Sequence, residues 1–284
     1  MAASLWRACT MVCAMTFADH ALALRLEAVE ARACAGIADA RARLFPESGS
    51  ASATIAGTTV VFDGVDAPTT QTFGLGLYEP LTAQALDAIE EFLVSRGAEP
   101  MHEVCPLAGA EVLEVLCARG YRPFEISNVL YRLPQAPTEP LPGGISVRVV
   151  GADEADVWSR VSARGWTHEH PELEDFVRKM GVLCVERSNS PCFLAEIDGV
   201  PAAAGGLSIH EGVALFAGAA TEPEFRRRGL QGALLAERMR YAVAAGCDLA
   251  MMVAEAGSNS QRNAERLGFQ VAYTRLKWRW RARS

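Results

Sequence analysis

A chain of 284 residues, half of them apolar, holds enough material for one large domain or two of ordinary size around a substantial core. Its 34 acidic against 27 basic residues give a net charge of -7, a surface that nucleic-acid phosphates would repel, which argues against a protein built to coat nucleic acid. No apolar run reaches the roughly 20 residues needed to cross a bilayer, and the eight cysteines show neither a CxxC pair nor a zinc-like His/Cys spacing, so they read as buried thiols of a cytoplasmic protein.

In chain order, residues 1–16 are mildly apolar with a single arginine but lack the strong apolar stretch and small-residue cleavage site of a signal peptide; a disordered or over-extended start is expected there. β-rich runs predict strands over 53–62 and 70–77. Helical spacing of apolar residues predicts a helix over 82–96, then a strand over 101–105 and a second helix over Ala110–Arg119, with Val112, Leu113, Leu116 and Cys117 on one face. Gly120 supplies the left-handed residue that closes this helix, Tyr121 folds back on it, and a strand over 126–133 follows. The stretch LPQAPTEPLPGG, 133–144, carries four prolines and two glycines, too many for a helix or a central strand, so 134–144 is expected to be a linker.

Beyond it, strands are predicted over 193–197, 202–209 and 213–221, a helix over 229–245, a strand over 248–254, a helix over 260–267 closed by Gly268 and Phe269, and a last strand over 271–280. The order strands, helix, strand, helix, strand thus occurs twice. The fold class expected is α+β: two tandem units, 17–133 and 145–284, each a mixed, mostly antiparallel sheet flanked by helices.

One segment carries chemistry. In TEPEFRRRGLQGALL, 221–235, a strand runs through Pro223 into three arginines and a glycine, and these open an amphipathic helix. First-turn amides of a helix have no internal partners and point outward at its positive end, so they can hold phosphate oxygens. Gly229 and Gly232 lack the Cβ that would keep a ligand away. Three like charges here oppose the helix dipole, at about 0.3–1 kcal/mol each when exposed, which an anion would offset.

This segment resembles motif A of the GCN5-related N-acetyltransferase (GNAT) superfamily, written Q/R-x-x-G-x-G/A. Arg226 and Gly229 stand at its first two fixed positions, Gln231 at the third, and Gly232 follows at once. CDLAMMVAEAGSNSQRNAERLGF, 247–269, is similar to the family's next strand, loop and short helix ending in Leu-Gly-Phe. The resemblance covers about 145–280 and is faint in the first half, as in tandem members of the superfamily. It implies an acetyl-CoA-dependent N-acetyltransferase working by direct attack in a ternary complex, with no metal. Amides of Arg228, Gly229, Leu230, Gln231, Gly232 and Ala233 would hold the pyrophosphate with Arg226 and Arg227 beside it; Ala219, Ala220 and Thr221 would pair with the pantetheine arm, and Asn263 would touch the cofactor. Many members place a tyrosine four residues before the Gly of Leu-Gly-Phe as the acid for the CoA sulfur, but Ala264 stands there. Ser260 or a bound water is the substitute, and Glu255 is the candidate acceptor of the amine proton, with Glu222 its rival.

The acceptor expected is a primary amine of a small molecule; a protein or peptide acceptor and a non-catalytic acyl-CoA-binding module are the alternatives. Sliding the second half onto the first puts Leu77, Tyr78, Glu79 and Pro80 where Arg226 to Gly229 stand, and because Glu79 repels phosphate and Pro80 lacks an amide donor, the first unit is expected to bind no CoA. His168 and His170, without a third ligand, read as loop polar residues rather than a metal pair. The tail RLKWRWRARS, 275–284, alternates as a half-buried terminal strand requires and is not read as a nucleic-acid arm.

Overall fold

The computed structural model describes residues 17–168 and 171–280; the N-terminal stretch 1–16, residues 169–170 with His170 among them, and the tail beyond Trp280 lie outside the described residues. The elements are α1 (His20–Leu44), β1 (Ala51–Ile55), β2 (Thr58–Phe62), β3 (Gln71–Phe73), α2 (Ala83–Val94), β4 (Met101–Val104), α3 (Ala110–Arg119), β5 (Tyr121–Arg132), β6 (Ile145–Val149), α4 (Ala155–Thr167), α5 (Glu174–Val185), β7 (Cys192–Ile197), β8 (Val200–His210), β9 (Val213–Thr221), α6 (Leu230–Ala244), β10 (Leu249–Glu255), α7 (Asn259–Arg266) and β11 (Gln270–Trp280). The class is α+β, as expected.

Local differences from the sequence reading have local causes. The run 53–62 is a hairpin rather than one strand, because Ala56 and Gly57 both take positive φ, 44° and 69°, the backbone of a two-residue turn. The run 70–77 stops pairing after Phe73, where Gly74 and Gly76 at φ 71° and 70° turn the chain. α1, β6, α4 and α5 are not among the expected elements. Nor are all the thiols buried: Cys105, Cys192 and Cys247 are, Cys34 and Cys184 are half-buried, and Cys117 is exposed. No helix among the described residues is long and apolar enough to cross a membrane.

All eleven strands form one sheet, ordered β1-β2-β3-β4-β11-β5-β10-β9-β8-β7-β6. Every neighbouring pair is antiparallel except β3 with β4 and β9 with β10. The two repeats are joined by exchange of their last strands: β5 ends the first half yet pairs with β10, and β11 ends the second half yet pairs with β4. β5 and β11 pair with each other from Tyr121 opposite Trp280 to Tyr131 opposite Gln270, which makes the centre of the sheet. Each begins just after a left-handed glycine that stops its helix, Gly120 at φ 95° and Gly268 at φ 83°.

Strand alternation sends side chains to both faces. Phe193, Ala195 and Ile197 pack with Leu230, Leu234 and Met239 of α6, whereas Leu194 and Ala204 pack under Trp158 and Val161 of α4. In the first half Val60 and Phe62 meet α2 and α3, and Val61 and Phe73 meet Ala31, Ala35 and Ala38 of α1. α1 bridges the halves: Leu22, Leu26 and Val29 cover Leu215, Leu249 and Met251, and Ile37 meets Leu183 of α5. Burial of each of the larger side chains here, the Leu, Ile, Val, Phe and Met, contributes about 1.5–3 kcal/mol. Asp19 caps α1 by accepting from the Leu22 amide at 2.9 Å.

Candidate active site

β9 and β10 pair only from Val213 opposite Leu249 to Leu215 opposite Met251, although both strands continue for several residues. Past that point they diverge, and the backbone of β9 beyond Leu215 has no strand partner on its β10 side. The cause lies on the other side of β9. Its pairing with β8 runs Ala203 opposite Thr221 and Ala204 opposite Ala220, then jumps to Gly206 opposite Ala217, so Gly218 and Ala219 bulge against Gly205. Gly218 takes φ 62°, which the bulge needs and which favours glycine. Arg238 of α6 braces the bulge from within the core: only 2% exposed, it donates to the carbonyls of Leu234 (3.2 Å), Gly206 (3.0 Å) and Ala217 (3.4 Å). Burial pulls its guanidinium down to about 10.

Three clefts meet at this divergence. The first, about 600 Å³, lies over the start of α6 and is lined by Ala219, Ala220, Thr221, Arg226, Arg227, Gly229, Leu230, Gln231, Gly232 and Asn263, together with Asn259, Trp166 and His168. Here Arg227 and Gly229 take left-handed backbone, φ 60° and 88°, on either side of Arg228, a conformation that turns successive amides toward one side. Gly229 is the N-cap of α6 and provides no side-chain cap, while the Ala233 amide donates to the Gly229 carbonyl at 3.0 Å. The amides of Leu230, Gln231 and Gly232 are therefore the first-turn donors that face outward without a helix partner, and that of Ala233 is already used. A Cβ on Gly232 would meet nothing within 4 Å; it would project into open space in the cleft.

Side chains set the rest of the rim. Gln231 Nε2 donates to Thr221 Oγ1 at 2.7 Å, tying α6 to the end of β9. Arg226 donates to the carbonyls of Thr221 (3.3 Å) and Gly165 (3.1 Å) and lies against the ring nitrogens of His168 at 3.1–3.2 Å. Arg228 lies over the Phe225 ring, 5.6 Å from its centroid, and does not line the cleft. α4 reaches β9 closely because residue 165 is glycine: a Cβ there would stand 2.7 Å from Ala220 Cβ and 2.9 Å from the Thr221 amide nitrogen. Gly165→Val is expected to push α4 off the end of β9 and lower any ligand affinity of this cleft at least about tenfold, measured by titration, with a smaller loss in thermal stability.

The second cleft, about 470 Å³ on the α6 and α7 side, is lined by Gly232, Leu235, Met252, Asn263, Ala264 and Ser260 among others. The third, about 350 Å³ on the α1 and α4 side, is lined by residues including Glu30, Cys34, Trp158, Trp166, Arg187 and Phe216. Ala219, Arg238, Met252 and Ser260 line both, so the diverging strands leave a passage between the two faces of the sheet.

The structure thus brings Ala219 to Thr221, Arg226, Arg227, Gly229 to Gly232, Ser260 and Asn263 around connected clefts. Glu255 does not line any of the three: it is exposed at the end of β10, opposite Ser127 of β5. Glu222 is buried beside Arg164 at 3.7 Å, its carboxyl pushed up by burial. The sequence reading missed Glu30, Cys34, Trp166, Arg187, Arg238 and Met252. For Arg238 the signal was present, a cationic residue on the apolar face of the helix over 229–245. In the first half Thr82 caps α2 by accepting from the Ala85 amide at 3.1 Å, which takes up one first-turn donor there.

Residues 155–269 match the acetyltransferase (GNAT) family. Among solved structures, a GCN5-related N-acetyltransferase from Kribbella flavida is 19% identical, with 88% of this chain and 96% of that chain covered at a TM-score of 0.62. A tandem GNAT protein from the clavulanic acid biosynthesis pathway is 13% identical over 80% of this chain and 79% of that one, TM-score 0.57. A functionally unknown conserved protein from Staphylococcus epidermidis is 7% identical over 84% and 96%, TM-score 0.56. No curated protein matches the sequence. Residues 155–269 thus match the GNAT acetyltransferases, and the fold of the chain as a whole is similar to that of a tandem GNAT protein. Acyl-CoA-dependent N-acetylation is the general activity of that family.

Proposed function

We propose that the protein is an acetyl-CoA-dependent N-acetyltransferase that acts on a primary amine of a small molecule by direct attack in a ternary complex. The observation that carries this reading is the passage through the sheet: an anion-binding helix start and the α7 side on one face, an apolar cleft on the other, meeting at Ala219, Met252 and Ser260. The amides of Leu230, Gln231 and Gly232, with Arg226 and Arg227, suit a pyrophosphate. Unpaired backbone of β9 at Ala217 to Thr221 suits the amide groups of an extended pantetheine arm, as an added strand would. Asn263, between the first and second clefts, has either within reach. Bound acetyl-CoA supplies the activated acyl carbon.

The protein's own part is orientation and proton handling. The bulge aims the Ala219 region at the passage, where a backbone amide can stabilise charge developing on the thioester oxygen. Transfer forms the N–C bond and breaks the C–S bond. The acceptor ammonium gives up two protons, one ending on the departing sulfur and one released. Ser260 is the hydroxyl placed to pass the proton to sulfur, because it lines the clefts on both sides, and Ala264 beside it offers no acid. The 350 Å³ third cleft fits a small acceptor rather than a peptide.

Thermal-shift titration with acetyl-CoA, followed by thiol release with a panel of amines, tests the reading; absence of saturable stabilisation would overturn it. Ser260→Ala is expected to lower kcat about 10- to 100-fold with acetyl-CoA affinity unchanged. Glu255→Gln should leave the pH profile of kcat in place, given its position away from the clefts; a shifted profile would restore Glu255 as the base.

A further inference from the structure

The third cleft is walled by apolar side chains, including Trp158, Trp166, Phe216 and Met252, and carries two charged ones besides the bulge-bracing Arg238: Glu30 of α1, and Arg187 just beyond α5. Glu30 belongs to a charged cluster. Arg275 of β11 lies 3.2 Å from Glu27, 2.7 Å from Glu30 and 3.1 Å from Glu103, and Lys277 lies 3.6 Å from Glu103 and 3.0 Å from Glu125. Three carboxyl groups, those of Glu27, Glu30 and Glu103, thus crowd one guanidinium. Of the cluster, Glu30 is the member that reaches the cleft.

Arg187 is the opposite case. It donates to the carbonyls of Ala33 (3.2 Å) and Cys184 (3.4 Å) and to Ser208 Oγ (3.3 Å), all neutral acceptors. Among the described residues no carboxylate stands within ion-pair distance of it. Cys34, one turn beyond Glu30 on α1, also lines the cleft, and its thiol, pushed well up by burial, is raised further by Glu30 and lowered by Arg187. Both charges therefore act on one small region.

We propose that the acceptor is an amino acid with an apolar side chain, its ammonium group held at Glu30, its carboxylate at Arg187 and its apolar body between Trp158, Trp166 and Phe216. This deepens the transferase reading and rests on it. It also gives the N-terminal half a task, since α1 supplies the residue that receives the amine. An amine without the carboxylate leaves Arg187 without an anionic partner in a part-buried site, and an acid without the amine meets Glu30 with no cation to offer it. Both are disfavoured on the same grounds as any desolvated charge without a partner.

The test is calorimetric titration of the CoA-loaded protein with L-leucine, L-methionine and L-phenylalanine, each against the amine left when its carboxylate is removed. At least one amino acid is expected to bind at least about 30-fold tighter than its amine, and Arg187→Met should erase that difference. Glu30→Gln should weaken the amino acid at least about tenfold with CoA affinity unchanged. Because Glu30 sits in a folding-critical cluster, Cys34→Phe provides a second arm: it fills the cleft from α1 without touching an ion pair, and should abolish amino-acid binding while CoA binds normally. Equal affinity for acid and amine, a preference that survives Arg187→Met, or normal binding in Cys34→Phe would each overturn the assignment. Failure of the wild type to bind CoA at all would instead overturn the transferase reading, and this inference with it.

Discussion

Reversing the charge at Arg226 and Arg227 together is expected to remove the proposed CoA binding, a loss of at least about 100-fold in affinity by titration. Both side chains border the first cleft, beside three outward amides at the positive end of α6. A charge-assisted hydrogen bond to phosphate contributes about 1.5–3 kcal/mol, so two of them account for roughly 10²- to 10⁴-fold before the repulsion from new carboxylates is added. Arg226 carries a second consequence. It ties Gly165 and His168 at the end of α4 to Thr221 of β9, so its replacement also loosens one wall of the cleft. Arg228→Glu is the control: stacked over Phe225 outside the cleft, it should cost less than about tenfold, an effect of screened charge at a distance. If Arg228→Glu proved as damaging as the pair, the phosphate would lie on the other side of the loop.

How far the sequence anticipates this arrangement depends on which residues are in question. Local signals were sufficient where one residue type has one physical use. Gly120 and Gly268 end α3 and α7 in left-handed backbone, and the glycine-opened start of α6 lies where its composition puts it. The strand exchange was not legible, because β5 and β11 have the same alternation whichever neighbour they pair with; pairing is decided by the whole sheet. α1 was missed for a different reason. Its buried face is largely alanine, Ala23, Ala31, Ala35, Ala38 and Ala40 among them, and contrasts weakly with the rest of the helix. Glu30 and Cys34 lie on α1, so the third cleft has no counterpart in the sequence pattern, and strand position alone points to Glu255. Arg238 shows the limit most directly. Its spacing on the apolar face of a helix is plain, but only the bulge at Gly218 and Ala219 gives it carbonyls to bind.

The exchanged strand itself should be held by Arg275, and Arg275→Met is expected to cost about 3–5 kcal/mol near neutral pH, the range seen when one partner of a buried ionic group is removed. Arg275 is fully buried on β11, from the second half, and its carboxylates come from the first: Glu27 and Glu30 on α1 and Glu103 on β4. Tyr273, also on β11, donates to Glu27 at 2.8 Å. The defect should depend on pH with a definite sign. Burial holds the Glu103 carboxyl up at about 7 from an ordinary 4.5, with Arg275 pulling it down and Glu30 and Glu27 pushing it up. A carboxyl raised in the folded state contributes stability that is fully present below about 4.5 and is lost as pH rises through about 7. Without Arg275 the downward pull is gone, the folded-state titration moves higher still, and the loss continues into mildly alkaline solution. Urea denaturation of both proteins at about pH 5 and about pH 8 should therefore show a deficit that grows with pH. A deficit of the same size at both would mean that Arg275 acts through packing, and that the carboxylates around it are neutral in the folded protein throughout.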